Sequence, residues 1–396
     1  MALNEKNLID LKFAALRFVA AMDRKCVDEL MTAGIISHYR DLCGDIDEIK
    51  EKVSKNELSE RTRERIELAF DQSKVNKVYE AYQKEMEDKN IGIIADDDDD
   101  YPWAWRQLSG MPPVFFYKGN KELLKQCHDK GAVAMVGSRQ PSAYGMQATK
   151  DFADHLAQKG VVIVSGMAKG IDRGAHAATL NSKGATIAIV PGGVDVIYPP
   201  ENQDLYKVLC DRGLIISELP PMQTVNKRYF PARNRLIAGL SDITLIMEAG
   251  EYSGTLHTAS FAASQGKDVF VLPHAIYSQN VMGGLYLIRD GAEILTDKES
   301  IDSRIAECLL NRLGDYCRKD NIEELREMSQ KAPDKLEDDQ WQELILDKLT
   351  VKPMTFDELS EGVILDFTKL SVLLADLEKR QKVLMTEGKY SLTFQR

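Results

Sequence analysis

No stretch of the 396 residues approaches the roughly 18–20 consecutive apolar positions that a membrane helix needs, so no membrane partner is expected. The opening residues, MALNEKNLID, have neither a basic start nor an apolar export segment, and the chain is read as cytoplasmic. Cysteine is scarce and scattered. The six, at 26, 43, 127, 210, 308 and 317, show no paired CxxC spacing, which argues against a zinc site or a disulfide framework and fits free thiols in a reducing compartment. The six histidines show no HxxxH or HxH spacing, so no metal is expected. No GxGxxG follows a strand, and no acidic residue ends the second strand to hold a ribose. A nicotinamide or flavin dinucleotide is thereby disfavoured, and no cofactor is implied.

What remains is an ordinary globular composition, 44% hydrophobic and 29% charged, at a length that predicts two or three domains with a large core. The net charge of −11 speaks against nucleic acid at first sight. It is unevenly spread, at −8 over residues 1–100, +2 over 101–300 and −5 over 301–396. A local basic site in the middle is compatible with an acidic total.

Residues 1–95 place apolar positions at helical spacing (Leu11, Ala14, Leu16 and Phe18; Ile66, Ala69 and Phe70) and predict a small all-helical domain of four or five helices. The run Asp96–Asp100 is read as a solvated loop, because five adjacent carboxylates repel one another and lack the glycine of a calcium loop. Over 96–300 the texture changes. Short Val/Ile-rich runs alternate with helix-length segments: Val133–Val136, Val161–Val164, Thr186–Val190, Leu214–Ile216, Ile243–Met247 and Val269–Leu272. Strands apolar on both faces predict an α/β domain with a doubly wound parallel sheet, whose ligands bind beyond the carboxyl ends of the strands. Residues 301–340 read as a helical connector. Residues 341–396 read as helices followed by a hairpin around Glu387-Gly388, a winged-helix-like module with balanced charge and a protein-docking or packing role.

The strand-end turns carry the chemistry. Gly137-Ser138-Arg139 lets backbone amides approach an anion ahead of a helix N-terminus, and Arg139 adds a fork suited to phosphate oxygens. Ser165-Gly166-Met167-Ala168-Lys169-Gly170 opens a helix that carries His176, read as a packing residue. Gly192-Gly193 is followed by Asp195, which suits a turn amide or a ligand hydroxyl. None of these turns supplies a nucleophile beside a base. Ser253-Gly254-Thr255 forms a second anion seat at a helix N-terminus.

The most informative stretch is Lys227-Arg228-Tyr229-Phe230-Pro231-Ala232-Arg233-Asn234-Arg235. Four cations and no acid lie between Glu218 and Asp242, interleaved with aromatic rings. Cations follow a phosphate backbone, and an exposed ring offers an unpaired base a surface that a duplex would hide. This combination points to single-stranded nucleic acid. The competing reading pairs Arg233 or Arg235 with carboxylates such as Glu218 or Glu248.

With these residues in place, the chain resembles the DNA-processing protein A (DprA/Smf) family. The resemblance rests on GSR (137–139), SGMAKGID (165–172), GGVDVIYPPEN (192–202), SELP (217–220), FPARNRLIAGLS (230–241), EAGEYSGTLHTA (248–259) and LIRDGA (287–292). It implies an extended Rossmann-like domain between a SAM-like helical domain and the winged-helix-like module. It also implies a homodimer that binds single-stranded DNA without sequence preference, relieves the block by single-strand-binding protein and loads RecA in natural transformation, with no catalytic activity. The strand site implied comprises Gly137, Ser138, Arg139, Lys169, Lys227, Phe230, Arg233, Asn234, Arg235, Ser253, Gly254 and Thr255. The sequence departs from the family pattern at Tyr252 (commonly Lys), His274 (commonly Gly) and Leu285 (commonly Asn). Two rival readings are a nucleotide phosphoribohydrolase of the LOG (lysine-decarboxylase-like) type, which shares a PGG turn, and a scaffold that binds a nucleotide signal. The first needs a glutamate on the helix beside the glycines, and PGGVDVIYPPE puts Glu201 out of register.

Overall fold

The computed structural model describes residues 4–22, 24–312, 336–351, 353–363, 367–380, 382–386 and 389–392. It divides into two compact units, Met1–Ala306 and Glu307–Arg396. Cys317, most of the 301–340 connector and the Glu387-Gly388 turn lie outside the described residues.

The first unit opens with five helices: α1 (Glu5–Val19), α2 (Arg24–Thr32), α3 (Ile46–Lys55), α4 (Glu60–Ala69) and α5 (Gln72–Lys89). Local chemistry sets their starts. The side chains of Asn4, Asp45, Ser59 and Asp71 accept first-turn amides of α1, α3, α4 and α5, as N-caps should. The Asp run is more engaged than its sequence suggests. Lys6 contacts Asp97 and Asp98, Arg40 grips Asp97 together with the buried Asp10, and Lys121 pairs with Asp100. The acidic turn therefore ties helices to sheet.

All six anticipated strands are present, within a nine-stranded sheet ordered β1-β2-β6-β5-β4-β3-β7-β8-β9. They are β3 (Ala132–Gly137), β4 (Val162–Ser165), β5 (Thr186–Ile189), β6 (Leu214–Ser217), β7 (Ile243–Glu248) and β8 (Asp268–Val271), all parallel. The expected parallel sheet carries an antiparallel edge as well. β1 (Gly92–Ala95) and β2 (Val114–Gly119) add an antiparallel edge, and the short β9 (Glu293–Ile294) closes the other side. β1 falls in the range read as helical, and four residues before an acidic run carry too little pattern to betray an edge strand.

Alternation along the strands feeds two cores. Ala188, Val190 and Ile215 face the N-terminal helices and α10 (Gln203–Arg212). Ile187, Ile189, Leu214 and Ile216 face α6 (Trp103–Arg106), α7 (Glu122–Lys130), α11 (Tyr229–Leu240) and α12 (Thr255–Ser264). The N-terminal helices share one apolar core with the sheet, from Leu11 and Phe13 through Tyr206 and Leu209 to Phe116. α8 (Ala143–Gln158) and α9 (Ile171–Asn181) complete the crossovers after β3 and β4, and α13 (Met282–Arg289) follows β8. The chain leaves β3 toward β4 on one side and returns to place β7 on the other. The C-terminal ends of β3 and β7 therefore flank the switch point where such sheets open a crevice.

The second unit contains helices Asp338–Val351, Phe356–Val363 and Phe367–Lys379 and a hairpin, β10 (Val383–Thr386) with β11 (Lys389–Leu392). Its core gathers Trp341, Leu344, Ile345, Leu370, Leu374 and Val383.

Candidate functional site

A cleft of about 860 Å³ opens at the switch point. It is lined by Gly137-Ser138-Arg139-Gln140, by Phe230, Arg233, Asn234 and Ile237 of α11, by the loop Gly250–Thr255, and by Asn280 and Met282.

Close approach explains the glycines. A Cβ on Gly137 would press on the Glu248 backbone and on Ile171, while the Ser138 amide donates to the Glu248 carbonyl at 2.8 Å. Gly170 has φ +77°, where a side chain is strained, and a Cβ there would collide with the Ser138 carbonyl. Ser138 is thus held from two sides, its carbonyl accepting the Ile171 amide at 3.1 Å. Asn202 pins the neighbouring turn by donating to Met167 O at 2.8 Å.

Among the helix N-termini near this rim, those of α8 and α9 already face an internal carboxylate. Glu248, 2% exposed, accepts the Ser142 amide at 2.9 Å and its hydroxyl at 2.6 Å, at the start of α8. Asp172 accepts the Gly166 and Ala168 amides, both at 3.2 Å, ahead of α9. Burial pushes the Asp172 carboxyl above the usual carboxylate range, against the opposing pull of Arg233 and the amides. The anion seat expected at α8 is therefore filled from within. At the start of α12 the Thr255 amide donates to the Ser253 hydroxyl at 3.2 Å and the Leu256 amide to Ser253 O at 3.1 Å, which leaves the Gly254 amide. The Gly254 amide meets no backbone acceptor among the described residues, and Ser253 and Thr255 join their hydroxyls at 2.9 Å beside it. Asn234 sets this seat by donating to Gly254 O at 3.2 Å.

The basic stretch divides into two kinds of cation. Arg139 and Lys227 are exposed, with no ion pair among the described residues. The Arg139 guanidinium lies 5.2 Å from the Phe230 ring centre, and Tyr198 meets the same ring edge-on at 5.8 Å. Arg233 is 7% exposed and donates to the carbonyls of Gly166, at 2.7 Å, and Ile189. Burial brings its guanidinium down to about 10, with Asp172 opposing. It braces the ends of β4 and β5, and only its flank reaches the cleft. Arg235 pairs with Glu218, which also binds Arg17 of α1 at 3.1 Å. For Arg235 the competing carboxylate reading is the one realised. Lys169 pairs with Glu201 outside the main cleft.

The structure thus brings Gly137, Ser138, Arg139, Phe230, Arg233, Asn234, Ser253, Gly254 and Thr255 to one cleft, and leaves Lys169, Lys227 and Arg235 off its lining. Sequence reasoning missed Gln140, Tyr252, Asn280 and Met282 as lining residues. The last two follow β8, so the rule that ligands gather beyond strand ends could have found them. His176 is buried against Thr186 at 2.7 Å, as a packing residue, and burial, reinforced by Arg233, lowers its imidazole to about 3. Asp195 accepts the Met222 amide at 2.9 Å, the turn role. The glutamate needed by the phosphoribohydrolase reading is not beside the glycines, since Glu201 stands on a one-turn 3₁₀ segment, Pro200–Asn202. No group of three or more His, Cys, Asp or Glu suited to a metal occurs among the described residues, and none of their helices is long and apolar enough to cross a membrane.

Comparison with known proteins follows this geometry. A family model described as DNA recombination-mediator protein A matches residues 92–306. The chain is similar to Protein Smf of Synechocystis, 39% identical over 220 residues, which are 56% of this chain and 55% of that protein. It is similar to DNA processing protein DprA of Bacillus subtilis, 34% identical over 249 residues, 62% of this chain and 83% of the relative. The X-ray structure of DprA from Streptococcus pneumoniae superposes with a TM-score of 0.62 at 30% identity, covering 77% of this chain and 99% of that one. The match thus spans just over half of the Synechocystis protein and most of the other two.

Proposed function

Because the chain belongs to the DNA recombination-mediator protein A family, we propose that its switch-point cleft binds single-stranded DNA without sequence preference. One observation carries this reading. A guanidinium with no ion pair among the described residues, an aromatic ring and the Gly254 amide line a single crevice, with Arg139 on Phe230 at 5.2 Å. Phosphates would sit on Arg139 and on the Ser253–Thr255 seat, and Lys227 would follow the backbone beyond the cleft. A base stacked on Phe230 contributes about 1–3 kcal/mol whatever its identity, which is why no sequence preference is expected. Only a strand with unpaired bases can present that face.

Loading of RecA by a homodimer during natural transformation, against single-strand-binding protein, is proposed on family membership alone. The SAM-like nature of the first helices is proposed on the same ground, and the winged-helix-like nature of the second unit is proposed on that ground together with its three helices followed by a hairpin. The decisive experiment titrates a labelled oligothymidine and a duplex of equal length at two salt concentrations. Preference for the single strand, falling as salt rises, is expected. Indifference to the oligothymidine, or preference for duplex, would overturn the proposal.

A further inference from the structure

Tyr252 lines the same cleft as Phe230 and is 93% exposed, an expensive way to display a ring unless something covers it. Its loop is not slack. The Ser253 amide closes a turn on Gly250 O at 3.1 Å, the Gly284 amide reaches Ala249 O at 3.1 Å, and Gly283 packs so closely on the Gly250 carbonyl that a Cβ there would collide. The ring therefore projects from a fixed base, and its ordering on binding costs only side-chain rotations.

The charge around it selects the partner. Glu251, exposed on the same loop tip, repels a phosphate at this point. The nearest anion seat is the Gly254 amide, two residues farther on. What the tip can accept is the uncharged face of a base.

We infer that Tyr252 is a second base-stacking platform, so that the strand is held by two rings of the cleft and by phosphate contacts. This rests on the strand-binding proposal.

The test measures full-length protein on labelled oligothymidine and on an abasic deoxyribose-phosphate strand of equal length, across a salt series. Tyr252→Ala is expected to weaken oligothymidine binding about tenfold with an unchanged salt slope. Tyr252→Phe should stay within about twofold of the parent, and both variants should match the parent on the abasic strand. Tyr252→Ala within twofold of the parent on oligothymidine, or a loss accompanied by a shallower slope or by equal loss on the abasic strand, would overturn the inference. Failure of the unaltered protein to bind oligothymidine would instead overturn the strand-binding proposal beneath it.

Discussion

Replacing Arg139 by alanine probes the cleft at the point where its two kinds of contact meet. In the free protein the guanidinium rests on the Phe230 ring at 5.2 Å. A cation–π contact at so exposed a site is worth about 0.5–1 kcal/mol. A charge-assisted hydrogen bond to a phosphate is worth about 1.5–3 kcal/mol. No ion pair with a carboxylate of the described residues has to be broken first. The exchange from ring to phosphate thus gains about 1–2 kcal/mol, a factor of about 5 to 30 in affinity. Arg139→Ala should weaken oligothymidine binding by that factor at low salt and reduce the slope of log K against log salt by about 0.7, the value for one phosphate on a single strand. Phe230→Ala should cost a similar factor with the slope intact, and because the two side chains touch, the double variant should lose less than the product. Fluorescence anisotropy over a salt series reads all three. An Arg139→Ala variant with the parent's slope, or a Phe230→Ala variant whose slope falls, would refute this division of labour.

Two further outcomes follow from buried groups. Arg233→Met removes the donor to two strand-end carbonyls and should lower stability by about 3 kcal/mol in urea unfolding. Gly166→Ala, whose Cβ would collide with the same guanidinium, should reproduce the loss, and changes below about 0.5 kcal/mol in both would show that the brace is idle. His176 holds its imidazole near 3 when folded against an ordinary 6.5, so the unfolded chain binds the extra proton between those values. Its contribution to stability is complete above about pH 6.5 and is lost as pH falls toward 3. His176→Phe should therefore flatten the acid-side decline seen in the parent, and parallel declines in the two proteins would dismiss the buried neutral histidine as its cause.

The parallel strands were legible because burial on both faces demands uninterrupted Val/Ile runs, as in Ile243–Met247. The edge strands were not, since Gly92–Ala95 draws its partner from antiparallel pairing with Val114–Tyr117, a distant relation that no local pattern encodes. Among the candidate site residues, Ser253-Gly254-Thr255 does line the cleft, as its place beyond the end of β7 suggests. The anion seat before α8 was misjudged because its occupant, Glu248, lies 106 residues away from Ser142. Arg233 illustrates a signal that was present and unread. It shares the i, i+3, i+4, i+7 face with Leu236, Ile237 and Leu240, all buried, so helical spacing alone marks it as inward-facing. Arg235, two positions on, turns toward Glu218.

The internal carboxylates at the starts of α8 and α9 would have a consequence for how a long ligand travels. With those sockets filled by the protein's own carboxylates, a polymer bound as proposed would rest mainly on pliant side chains. Such a track would let it creep by one link at a time without unseating the whole.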